Sequence, residues 1–96
     1  MALTPGAAIN RLTENLAKWL STFAFLNKEL LKEFSVIAGM PEEEKIKLIR
    51  QMKPLENNLD LLLDGFLMKY NHRKDEFKPD DLSKLKRYFE AMIAAV

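Results

Sequence analysis

Apolar side chains recur along the first part of the chain at steps of three and four: Ile9, Leu12, Leu16, Trp19, Phe23, Leu26, Leu30, Phe34 and Ile37. Such steps keep side chains on one face of an α-helix. The stripe predicts one long helix over residues 5–38. Thr4 is placed to cap it with its hydroxyl, and Pro5 takes the first helical position, where a missing N–H costs no hydrogen bond. Gly39 fits a helix terminator, and Pro41 opens the next element.

A second stripe, Leu48, Ile49, Met52, Leu55, Leu59, Leu62, Phe66 and Tyr70, predicts a helix over 41–71. Glu42, Glu43 and Glu44 place three carboxylates at the positive end of its dipole. Pro54 removes one backbone hydrogen bond and crowds the preceding turn. Because the stripe passes through Pro54 in phase, it predicts a kink there; a split at Lys53/Pro54 would make four helices in all. Residues 71–76 are polar and read as a loop. Pro79, Asp80 and Asp81 open a third helix over 79–95, with Leu82, Leu85, Phe89, Met92 and Val96 inward and Phe77 set to staple onto Leu82. No run alternates as a β-strand would. The expected fold is a single all-α domain over 1–96, an antiparallel three-helix bundle made of a long hairpin and a shorter C-terminal helix.

The unequal lengths carry the functional expectation. The third helix covers only about half of a hairpin that long, so the other end becomes a two-helix layer with more apolar surface than it encloses. Phe25 and Val36 lie almost opposite the centre of the first stripe. Together with Leu31, Phe34, Ile37, Ile46 and Met52 they form the expected partner-binding groove. Leu61 and Met68, also off the stripe, are expected to face the third helix. Asn27 interrupts the apolar arc and is read as the point where the stripe meets solvent.

Composition narrows the classes. Apolar residues at 48% and charged residues at 30% describe a folded domain and not a disordered chain. The net charge of +1 provides no global field for nucleic acid, an anionic membrane or acidic substrates. The absence of cysteine excludes disulfides, thiolate metal sites and thiol catalysis, and fits a cytoplasmic location. The longest uncharged run stops far short of the roughly 20 residues that span a bilayer, so no membrane association is expected.

Chemistry-bearing residues are sparse. His72 is the only histidine, which removes multi-histidine metal sites, and it is read as a helix C-terminal residue. Glu56, Asp60 and Asp64 recur every four residues and are read as a solvated face paired with lysines. No glycine-rich phosphate loop and no nucleophile arrangement is present, so no cofactor, metal, small-molecule substrate or enzymatic activity is expected. Arg73, Lys74, Lys84 and Arg87 form a basic C-terminal region that supports a minor nucleic-acid reading. The reading preferred here is a small helical protein-binding module of adaptor, chaperone or inhibitor type, which takes a helix of another protein into its groove. The alternative is a homodimer whose thin ends complete each other.

Overall fold

The computed structural model describes residues 4–96, and all regular structure among them is helical. Five α-helices follow in chain order: α1 Pro5–Leu20, α2 Lys28–Gly39, α3 Glu42–Arg50, α4 Leu59–Lys69 and α5 Pro79–Ala94. Single 3-10 turns over Lys53–Leu55 and Lys74–Glu76 lie before and after α4. Each of the two long predicted helices is divided, which corrects the count from three to five.

The first division falls over residues 21–27. Ser21 Oγ donates to the Lys18 carbonyl at 2.6 Å and Thr22 Oγ1 to the Trp19 carbonyl at 2.7 Å. These hydroxyls add side-chain bonds to the last carbonyls of the helix, and that of Trp19 also accepts the Thr22 N–H at 3.1 Å. Asn27 then starts α2: its backbone is extended, and Oδ1 accepts the Leu30 N–H at 2.9 Å. Asn27 is therefore a helix cap and not the edge of a continuous stripe. Periodicity is blind to this break because Leu20, Phe23, Leu26 and Leu30 keep steps of three and four through it. Length shows what the break achieves. A straight helix over 5–38 would measure about 50 Å, whereas the longest extent of the molecule is 36 Å.

The second division is a full break and not a kink. Gln51 ends α3, Pro54 sits inside the 3-10 turn, and Asn58 Oδ1 accepts the Leu61 N–H at 3.3 Å to cap α4. After α4 the chain reverses through Asn71, whose φ of 62° is left-handed. The His72 N–H reaches the Leu67 carbonyl at 2.9 Å and the Asn71 N–H reaches that of Met68 at 3.0 Å. This paired closure satisfies the last carbonyls of α4 and turns His72 inward. Pro79 opens α5 with Asp80 and Asp81 in the first turn, and Phe77 and Leu82 both join the core.

α1 packs against α2, α3 and α5, and α4 packs against α5. Ile9, Leu16, Leu30, Phe34, Ile49, Leu63, Leu85 and Phe89 are essentially inaccessible. Phe66 joins three helices, its ring centroid 5.6 Å from Phe34 on α2 and 5.4 Å from Phe89 on α5. Leu26, Leu30, Phe34, Ile37 and Ile49, expected in a thin two-helix layer, are all buried. The two breaks fold α2 and α3 back over α1 and remove the thin end. The radius of gyration, 12.8 Å, accordingly sits near the ~12.5 Å of a compact chain of this length.

Candidate functional site

The seven residues of the expected groove do not converge. Phe34 and Ile37 point into the core. Leu31 is half-buried in a depression between α1 and α2, beside Lys18, Ser21 and Lys32. Ile46 lines a separate depression on α3 with Glu43, Lys47 and Arg50. Met52 is half-buried against the core. Only Phe25 and Val36 stand out from the surface, 43% and 47% exposed; Phe25 lies in the break before α2 and Val36 near the other end of that helix. Phe25 is not isolated: its ring sits edge-on to Phe23, Phe77 and His72, with centroids 5.3 to 6.0 Å away.

A different apolar face is present on α4. Seven of its eleven residues are large and apolar, distributed around the whole helix. Such a helix normally has all of its faces covered. Leu63 and Leu67 face inward and are buried, whereas Leu61 is 53% and Met68 66% exposed. Seven residues apart, they lie two turns apart on one stripe. Gly65 lies between them, and nothing stands within 4 Å of where its side chain would be. The expectation that Leu61 and Met68 face the C-terminal helix is thus corrected. The run of apolar residues in positions 59–68, too many for one inward face, was the available signal.

Charged pairs border this stripe. Lys86 of α5 reaches Asp60 Oδ1 at 2.6 Å, and Lys74 lies 3.6 Å from Asp60 and 3.3 Å from Asp64. The hydrogen bond from Lys86, helped by the charge of Lys74, holds the Asp60 carboxyl below its ordinary value of 3.8. Glu56 is exposed. Among the described residues no group of three His, Cys, Asp or Glu side chains is arranged to hold a metal ion, and no helix is long and apolar enough to cross a membrane.

His72 is buried, 7% exposed, and does not sit at a solvated helix end. Its Nε2 lies 3.2 Å from the Asn27 backbone N, and its Nδ1 lies 2.9 Å from Glu76 Oε2. A backbone N–H only donates, so Nε2 accepts and Nδ1–H donates to the carboxylate. Glu76 also accepts the Arg73 N–H at 3.0 Å. That backbone bond, with the one from His72, lowers its carboxyl below the ordinary 4.5. Both ring nitrogens have a structural partner, so the network ties the turn before α2 to the turn after α4.

The four basic residues of the nucleic-acid reading are also separated. Arg73 pairs with Asp75 at 2.6 Å and Lys74 with the α4 carboxylates. Lys84 and Arg87 lie on α5 beside a groove shared with α1, away from those pairs. Comparison with protein-family models, with curated proteins and with solved structures finds no match to this chain.

Proposed function

We propose that this protein is a small non-enzymatic protein-binding module of adaptor, chaperone or inhibitor type. In this reading it docks an amphipathic helix of another protein on apolar surface that its own fold leaves uncovered. The observation that carries the reading is the Leu61–Met68 stripe on α4, with both side chains more than half exposed. Folded surfaces tolerate scattered apolar residues, but two aligned on one stripe across an open glycine offer a flat anchor site of the kind that receives a helix. The bordering pairs of Asp60, Asp64, Lys74 and Lys86 supply a polar rim that would set register.

The test is a double variant, Leu61→Asp with Met68→Asp, set against the wild-type chain. Both residues are solvent-facing, so circular dichroism should stay helical. Affinity capture from source cells should recover a protein with the wild type that the variant loses. Identical recovery with both chains would overturn the reading. Light scattering should report 11.1 kDa. A particle of twice that mass, split by the double variant, would assign the stripe to a second copy of the chain instead.

A further inference from the structure

We propose that the groove between α1 and α5 is a second docking site, selective for an acidic amphipathic helix of another protein. The inference rests on the protein-binding reading and adds a distinct face and a charge for the partner.

The groove is an open depression of about 330 Å³ lined by Leu12, Lys84, Arg87, Tyr88 and Ala91. The four α5 residues stand at steps of three, four and seven, a single flank of the helix. Lys86, which bonds Asp60 of α4, leaves from the opposite flank, so this groove and the α4 stripe are separate surfaces. The floor is apolar and held in place. Tyr88 stacks on Trp19 with centroids 6.0 Å apart and planes 24° apart, and Leu12 and Tyr88 are both half-buried against the core. A partner's apolar side chain would therefore meet a formed surface and would not have to order one.

Charge selects the partner. Lys84 and Arg87 are both exposed, one helical turn apart along the same edge. Lys84 lies over the Trp19 ring, 4.7 Å from its centroid. Among the described residues neither cation is in an ion pair. Among the described residues no carboxylate lines the groove; Asp80 and Asp81 stand one turn before Lys84, in the first turn of α5. A helix carrying Leu or Phe on one face and two carboxylates a turn apart beside it satisfies both the floor and the edge. A nucleic acid would need a longer row of cations along its backbone. Arg73 and Lys74 are bound to carboxylates elsewhere, and the floor between Lys84 and Arg87 is apolar.

The experiment is selection from a displayed library of amphipathic helices. All members share a Leu/Phe stripe, and the flanking positions carry Glu, Gln or Lys. Winners are then titrated into isotope-labelled full-length protein, with amide shifts and Trp19 emission as readouts. Selection should enrich Glu beside the stripe, and binding should shift Leu12, Trp19, Tyr88 and Ala91. The double variant Lys84→Glu, Arg87→Glu, at two exposed positions, should keep its helical spectrum, weaken the acidic winners by about tenfold or more, and select Lys-flanked helices instead. No winners, winners without charge bias, or no change of preference in the variant would overturn the proposal. Winners that shift Leu61 and Met68 alone would overturn it while leaving the α4 reading intact. A single-stranded oligonucleotide that shifts the same groove residues in low salt, in competition with the acidic winners, would overturn it in favour of nucleic acid.

Discussion

The backbone N–H of Asn27 donates to His72 Nε2 across 45 residues of sequence. The Asn27 side chain bridges the same gap a second time, with Nδ2 donating to the Tyr70 carbonyl at 2.6 Å while Oδ1 caps α2. One residue thus ends the first break and ties it to the turn after α4. A half-buried amide with its oxygen and one N–H engaged is a strong local constraint, because each bond left unmade would leave a polar group short of a partner away from water.

Asn27→Ala should therefore cost more than a cap alone. A lost cap costs about 1 kcal/mol, and the unpaired Tyr70 carbonyl adds roughly 1 to 3 kcal/mol. Asn27→Ser keeps a capping acceptor for the start of α2 and loses the donor to Tyr70 without setting a second acceptor against that carbonyl, so its loss should be smaller. Urea denaturation of the three proteins gives the order.

Acid should weaken the same tie. The folded-state carboxyl of Glu76 lies below its ordinary 4.5 because the Arg73 N–H and then His72 favour the anion. Its contribution is complete above 4.5 and is lost as pH falls through the lower folded value. Glu76→Gln should flatten stability against pH in that window and lower the plateau above it by the lost contribution. Tyr70 has the opposite sign. Burial, then the nearby Glu33 carboxylate, raises its phenol above 10.0, so stability should decline as pH rises past that value and Tyr70→Phe should remove the decline.

Phe34 and the α4 stripe should respond oppositely to the same chemical insult. Phe34 is 1% exposed and meets Phe66. Phe34→Ala should cost about 3 to 5 kcal/mol, and Phe34→Asp should abolish the helical circular dichroism signal. Leu61→Asp or Met68→Asp should stay within about 0.5 kcal/mol of wild type. Thermal melts followed by circular dichroism separate the two classes.

Pro54→Ala should not join α3 to α4. The residue lies exposed in a 3-10 turn, and the start of α4 is held by Asn58. The substitution should leave total helicity nearly unchanged, whereas Asn58→Ala should cost about 1 kcal/mol through the lost cap. A rise in ellipticity for Pro54→Ala would show that proline alone separates the helices.

Much of the architecture is legible in the chain. Apolar steps of three and four mark helical residues, Pro5 and Pro79 mark two helix starts, and the acidic turns at 42–44 and 80–81 complement helix dipoles. These signals are local, and local chemistry acts on them directly. The breaks are marked more faintly. Ser21, Thr22, Asn27 and Asn58 have capping chemistry, but a stripe that continues through them in phase outweighs four polar residues in a periodic reading. Their effect depends on where the chain is next needed: Asn27 becomes a cap because Tyr70 and His72 stand opposite it, and a long helix divides because the halves bury more apolar surface folded together than extended. The same reason moves the candidate surface. Phe34 and Ile37 looked available while α2 was the end of a rod and became core once it folded back. The α4 stripe and the α1–α5 groove were set by which flanks the neighbouring helices left open, a choice made between residues far apart in sequence and therefore written in no single segment of it.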